Sequence, residues 1–327
     1  MNAPKVAIVT TLRDAGAMLD SFVAYHLHHG FAHIFLFFDD PLDPGLERYA
    51  RHPMVTAIPH DSRLRDLWTG LPEFRTGGEF IDREVMARQV FNAALAMDMA
   101  RQRQCGWLLH IDADELFFTP RQSVAEHFAQ MDAQAADTIS YQNFESVPEK
   151  AEIADPFREV DLFKVPLELA AQPDDACRAL LAATPQLPAK RFHFYRNGKS
   201  AVRLSATDLR PNGVHKFINW NGNTREARSR GGFVLHYACC GFEAFWQKYR
   251  TLGPFADRWL DFFDIRATIG PLHLDARDIV ATGDREAALA FYRQRIAMED
   301  SEKVGQLIQH GILTRIPQPR DLLNRLA

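Results

Sequence analysis

From Lys5 to Phe144 the chain alternates short apolar runs with stretches of helical periodicity, and few folds accept that order. Lys5–Leu12 opens with a β-branched run. Met18–His29 then spaces Met18, Leu19, Phe22, Val23 and Leu27 as an amphipathic helix before Gly30. His33–Phe38, with FLFF at its centre, reads as the next strand. A short helix around Leu46–Ala50, a strand near Val55–Ile58 and a loop rich in Arg, Gly and Pro follow. Asp82–Gln104 is strongly helical, with Val85, Met86, Val90, Ala93, Ala94 and Met97 on one face. It delivers the chain into Trp107, Leu108, Leu109 and Ile111, a run suited to a strand covered on both faces. Ser123 with Glu126 forms a capping box, and Thr138–Phe144 reads as a further strand. This pattern predicts an α/β doubly wound, mostly parallel sheet.

The character changes after Glu145. Pro148, Pro156, Pro166, Pro173, Pro185 and Pro188 punctuate a stretch of little periodicity, expected to be a long, mobile excursion. Arg191–Ser205 reads as an antiparallel hairpin around Asn197-Gly198, and Gly232–Cys239 as a strand. Phe242, Phe245, Trp246 and Tyr249 fall at helical spacing and are expected in the core. Helices near Asp284–Met298 and Ser301–His310 complete the chain. The expected division is 1–145, 146–255 and a helical extension over 256–327.

With 327 residues, 46% hydrophobic and 24% charged, the chain can bury a full core, and its net charge of −4 without basic blocks argues against nucleic-acid partners. Its longest apolar runs are too short to span a bilayer, and MNAPKVAIVTT lacks signal-peptide architecture. A cytoplasmic location is expected, with peripheral membrane association compatible. Cys105, Cys177, Cys239 and Cys240 lack zinc-type spacing and are expected as reduced thiols.

Chemistry concentrates in WLLHIDADELFF, Trp107–Phe118. Ligands of open α/β sheets bind at the carboxyl ends of strands, and residues two apart in extended backbone share a side. Asp112 and Asp114 could therefore converge on a hard divalent cation, Mn2+ or Mg2+, although a solvated acidic turn is an equally ordinary use of such a pair. Glu115 tilts the reading toward a cation, because three acids in four residues repel one another unless positive charge or ordered donors offset them. His26 and His29 could bind metal, but both lie in the last turn of a helix, where interaction with its dipole is the commoner role.

The motifs, taken in order, resemble those of GT-A fold glycosyltransferases, in particular the bacterial family 2-like and family 92-like enzymes. The segment TTLRDAGAMLDSFVAYHLHHGFAHIFLFFDDPLD is similar to their first βαβ unit, and HIDADELF to their Asp-x-Asp-Glu-Phe metal motif. NGKSAVRLS, NGVHKF and VLHYACCGFEAFWQKY resemble their Gly-Lys-Ser, histidine and His-Tyr segments. Two departures stand out: Ala15 replaces an acidic residue of the first turn, and Cys240-Gly241 replaces a Lys-Ser pair.

The resemblance implies metal-dependent, inverting transfer of a sugar from a nucleoside diphosphate, UDP above all, to a glycan or glycolipid hydroxyl in surface polysaccharide or glycoconjugate synthesis. It implies that Thr11, Arg13, Asp14 and Asp39 line the base and ribose pocket, that Asp112 serves metal and donor, and that Lys199 belongs to the donor site. Arg83, Arg88 and Gln89 on the long helix are candidates for phosphate or donor sugar. Metal ligation is expected from Asp112, Asp114 and His236, with His215 as the rival histidine and a further donor-site candidate. The expected base is Glu145, with Glu149, Glu152 and Asp155 as alternatives. Competing readings are a metal-dependent nucleotidyltransferase or phosphohydrolase, which lacks the needed Gly-rich loop or nucleophile in TTLRDAG, and a non-catalytic carbohydrate-binding protein.

Overall fold

The computed structural model describes residues 3–170, 172–188 and 190–326. Two compact units emerge, each discontinuous in sequence. The first combines the described residues of Met1–Asn143 with Asn197–Val234, and the second combines those of Phe144–Arg196 with Leu235–Ala327.

The first unit is built on a seven-stranded sheet. Val6–Leu12 lies near its centre, pairing in parallel with His33–Phe38 on one side and Trp107–His110 on the other. Val55–Pro59 extends the parallel run beyond His33–Phe38. Every residue of the strands Val6–Leu12, His33–Phe38 and Trp107–His110 is buried, as runs without polar alternation require. Lys199–Arg203 runs antiparallel between Trp107–His110 and Thr138–Tyr141, and Glu226–Arg228 closes that edge parallel to Thr138–Tyr141. The doubly wound, mostly parallel α/β sheet expected from the alternation is therefore present, with helices Met18–His28 and Val85–Gln102 among its connections.

Three local expectations need correction. The Arg- and Gly-rich loop contains helices Ser62–Thr69 and Phe74–Gly77; Asp61 caps the first by accepting from the Leu64 amide at 3.0 Å. The extended backbone expected to carry Asp112 and Asp114 to one side ends sooner: strand Trp107–His110 is followed by a turn containing Asp114 and then by a second strand, Glu115–Phe118, so strand alternation does not aim Asp114. Arg191–Ser205 is not a hairpin. Gly198, at φ +67°, leads instead into an internal strand, and a Cβ there would lie 1.7 Å from the Tyr141 carbonyl oxygen. The antiparallel hairpin comes later, pairing Leu209–Asn212 with Lys216–Asn219.

In the second unit Leu162–Lys164 pairs antiparallel with Glu145 and Ser146 on one side and with Leu313–Arg315 on the other. The aromatic stripe is core as expected: Phe242, Phe245, Trp246 and Tyr249 of helix Phe242–Leu252 pack with Leu272, Val280 and Tyr292. The proline-rich excursion also contributes core, because Phe157, Phe163 and Cys177 are buried, and Asp155 and Asp174 cap short helices within it. All four cysteines are free and buried. Among the described residues no helix is long and apolar enough to cross a membrane.

Candidate active site

One turn of helix Val85–Gln102 faces the carboxyl ends of three adjacent parallel strands and places a polar side chain on each. Arg88 donates through Nε and Nη2 to the two carboxylate oxygens of Asp39, at 2.5 and 2.8 Å, just after strand His33–Phe38. Gln89 Nε2 donates to Asp112 Oδ1 at 2.7 Å, beyond strand Trp107–His110. Asn92 Nδ2 donates to Thr11 Oγ1 at 2.9 Å, in the central strand, and accepts from Trp68 Nε1 at 3.0 Å. The spacing i, i+1, i+4 presents all three from one side of the helix.

Asp112 is the centre of this group. Lys199 Nζ, with its side chain 0% exposed, donates to Asp112 Oδ2 at 2.6 Å and lies 3.7 Å from Glu115 Oε2. Asp112 keeps 26% of its side chain exposed, so buried cation and open carboxylate form the back and the mouth of the site. Burial works against both charges of this pair. The ammonium nevertheless holds Asp112 below the usual carboxylate range, and the carboxylates hold Lys199 above the usual lysine value. Glu115 behaves oppositely: complete burial, opposed by Lys199 but reinforced by Asp112 and Asp114, pushes its carboxyl well above the usual range. Its Oε2 accepts the Asp112 amide at 2.7 Å while the Glu115 amide donates to the Asp112 carbonyl at 3.1 Å. This double link shapes the turn that carries Asp114.

His215 adjoins the same strand. Its Nδ1 lies 2.7 Å from the Gly198 carbonyl oxygen, an acceptor only, so Nδ1 is the donor in this contact. Ser200 Oγ donates to the His215 carbonyl at 2.8 Å.

Thr11, Asp39, Arg88, Gln89, Asp112 and Lys199 are thus drawn together, but two of them bind each other. Asp39 and Arg88 were expected to face ligand separately. In the structure they form a buried ion pair, completed by Arg88 Nη1 donating to the Ile81 carbonyl at 2.6 Å. Arg13 and Arg83 are exposed, Arg83 lying 4.8 Å from the Phe80 ring centroid, and Asp14 is exposed at φ +52°. Asn92 went unassigned from sequence; its signal is a polar residue four beyond Arg88 within an Ala- and Phe-rich helix face.

His26, at three residues from His29, is a structural residue. Its Nδ1 contacts the Phe22 carbonyl at 2.8 Å and its Nε2 accepts the Phe117 amide at 3.1 Å. In the second unit, His236 is buried beside the rings of Phe194 and Tyr195, at centroid distances of 5.6 and 4.8 Å. Glu145 is committed to structure rather than open to solvent. It accepts from Lys164 Nζ at 2.7 Å and from the His193 and Phe194 amides, each at 2.9 Å. Burial alone would raise its carboxyl, yet Lys164 and these donors bring it below the usual range. The base expected there is bound on both oxygens.

Among the described residues no group of three or more His, Cys, Asp and Glu side chains is arranged to hold a metal ion. The donor chemistry still fits a hard cation, since Mg2+-like ions are commonly held by one or two carboxylates with substrate phosphates and water completing the shell. Asp112 and Asp114, at the partly exposed mouth of the site, match that mode.

No protein-family model matches the chain. Two Arabidopsis thaliana proteins described as glycosyltransferase-like are each 29% identical to it, over 248 and 253 residues, covering 74% of this chain. The chain spans about half the length of these curated relatives, 46% and 53%. Among solved structures, GalNAc-T7 with UDP, GalNAc and Mn2+ aligns over 95% of this chain and 58% of its own at 11% identity, with a TM-score of 0.39. So distant a likeness carries no argument, and the fold rests on the strand order given above. The chain's relatives in sequence are thus proteins named for their likeness to glycosyltransferases.

Proposed function

We propose that the chain is a GT-A-type glycosyltransferase, akin to the bacterial family 2-like and family 92-like enzymes, that transfers a sugar from a UDP-linked donor to a hydroxyl of a glycan or glycolipid with inversion. The observation that carries this reading is the convergence of Thr11, Asp39 and Asp112 at three neighbouring strand ends, fixed by one helix turn and backed by buried Lys199. The carboxyl ends of neighbouring parallel strands are where open α/β sheets take nucleotide ligands.

Bound Mn2+ or Mg2+ would supply positive charge to the leaving diphosphate, and Asp112 and Asp114 would hold it. Lys199 keeps Asp112 ionised and fixed in place. Gln89 sets the rotation of the same carboxylate, so its outer face is presented ready for use. Asp39, bound by Arg88 through both oxygens and with little of its side chain exposed, anchors the neighbouring strand end.

For a histidine ligand the reading favours His215, because an Nδ1–H donated to a backbone carbonyl is the usual arrangement of a metal-binding imidazole. Manganese affinity of His215→Ala and His236→Ala with UDP present separates the two. Inversion needs a base. Among the four sequence candidates, Glu145, Glu149 and Asp155 are ion-paired with Lys164, Arg315 and Arg158, whereas Glu152 is exposed and has no ion pair among the described residues. Glu152→Gln is the variant to assay.

The deciding experiment is a screen of nucleotide sugars with manganese and glycan or glycolipid acceptors. Acceptor-dependent release of UDP supports the reading. Release of pyrophosphate, or donor hydrolysis indifferent to acceptor, would move it to the nucleotidyltransferase or phosphohydrolase class.

A further inference from the structure

The second unit contains a cavity of 810 Å³ that no part of the foregoing chemistry uses. Its volume falls within the range of about 300–1,000 Å³ usual for small-molecule sites. Leu167, Leu181, Leu187, Pro173 and Pro188 supply apolar wall, and Arg191 and Arg295 supply positive charge. Among the described residues that line it, none is acidic.

Arg191 makes this cavity unusual. The residue is only 6% exposed, yet among the described residues its Nη1 is buried without a hydrogen-bond partner and its guanidinium has no ion pair. A guanidinium stays charged in proteins, and a buried charge is strongly unfavourable unless paired. Backbone conformation adds to the cost, because Arg191 sits at φ +63°, a region that side chains with a Cβ avoid. Two unfavourable features at one residue in a cavity wall mark a site completed by a ligand. Arg295, at the end of helix Arg285–Arg295, lies 3.9 Å from Asp275, a loose pair that leaves its charge incompletely offset.

We infer that this cavity binds an amphiphile with an oxyanion head, phosphate or carboxylate, seated on the Arg191 guanidinium fork with Arg295 in support, its apolar chain lying along the Leu and Pro wall. The fork matches two oxygens of either head group, and the absence of acidic lining residues removes competition for it. This inference is independent of the sugar-transfer reading and stands or falls without it.

Calorimetry on the full chain tests it with dodecyl phosphate and dodecanoate below their aggregation thresholds, dodecanol, and inorganic phosphate. The expected result is that at least one charged amphiphile binds tenfold or more tighter than both dodecanol and inorganic phosphate. The better of the two anionic probes identifies the head group. Arg191→Met is expected to weaken that binding at least tenfold while melting no lower than the parent chain, because it removes a buried charge that nothing pairs. Ala182→Trp, which narrows the cavity from an exposed position, is expected to weaken the amphiphile and leave inorganic phosphate unaffected. Unchanged binding by Arg191→Met, or inorganic phosphate binding as tightly as the amphiphiles, overturns the proposal. So does unfolding of Arg191→Met, which would mean that the guanidinium serves the fold.

Discussion

Replacing Lys199 with Met isolates the electrostatics of the candidate site, because Met nearly keeps the volume of the side chain and removes its charge. The ammonium is 2.6 Å from Asp112 Oδ2 and fully buried. At an effective dielectric constant of about 20, a pair at that separation attracts by roughly 6 kcal/mol, and burying each ion costs several kcal/mol in return. The intact pair is therefore close to neutral for stability. Losing one partner is not, since Asp112 would remain charged beside Glu115 with its counter-charge gone; a stranded buried ion typically costs about 3–5 kcal/mol. Asp112 is 26% exposed and regains some water, which places the expectation at the lower end, about 3 kcal/mol. Urea unfolding of Lys199→Met measures this, and the double variant Lys199→Met/Asp112→Asn should recover at least about 1 kcal/mol of the loss. A single variant within about 0.5 kcal/mol of the parent chain, or a double variant as unstable as the sum of its parts, would mean that Lys199 and Asp112 are not energetically coupled.

Glu145→Gln should destabilise by about 3–5 kcal/mol, because Lys164, with its side chain 4% exposed, would be left buried and unpaired; full stability with abolished sugar transfer would return Glu145 to the role of base. Burial lowers the His26 imidazole to about 3 from an ordinary 6.5, so the unfolded chain takes up the proton first as pH falls. Its contribution is complete above the unfolded value and is lost at about 1.4 kcal/mol per pH unit down to the folded one. Urea midpoints at pH 7.5 and 5.5 should therefore differ less in His26→Gln than in the parent chain, and equal differences would count against it. Gly198→Ala should cost at least about 3 kcal/mol through its clash with the Tyr141 carbonyl. Gly213→Ala is the control: it has a similar φ of +69° but nothing within 4 Å, and should cost about 1–2 kcal/mol; similar losses for both would assign the effect to φ alone.

The parallel strands of the first unit were legible because a strand covered on both faces is apolar at nearly every position, as FLFF and WLL are. The capping box at Ser123 and Glu126 was legible because both of its hydrogen bonds are local. Helix Ser62–Thr69 was hidden by neighbouring Gly and Pro, although Asp61 gave a capping signal. Asn197-Gly198 misled for a physical reason: a left-handed glycine serves a tight turn and a close backbone approach equally well, and only the fold shows that Tyr141 is the neighbour. Prolines punctuate the excursion in sequence, yet Pro156 begins a helix, where its fixed φ suits the first turn.

In the site, carboxylates at strand ends could be found from pattern alone. Their partners could not. Arg88 meets Asp39 across 49 residues and Lys199 meets Asp112 across 87, and nothing local encodes either pairing. The return of Asn197–Val234 to the first unit brings Lys199 to Asp112 and His215 beside Gly198 and Ser200, which makes the site a product of long-range topology.

The proposed function requires the carboxylates beyond strand Trp107–His110 to hold a divalent cation on which nucleotide binding depends. Calorimetric titration of UDP into the parent chain and into Asp114→Asn, each with manganese and with excess chelator, tests it directly. Chelator and the Asn variant are each expected to weaken UDP binding at least tenfold, without their effects adding, and the variant is expected to melt at the same temperature as the parent chain without metal. Equal UDP affinity in manganese and in chelator would contradict it.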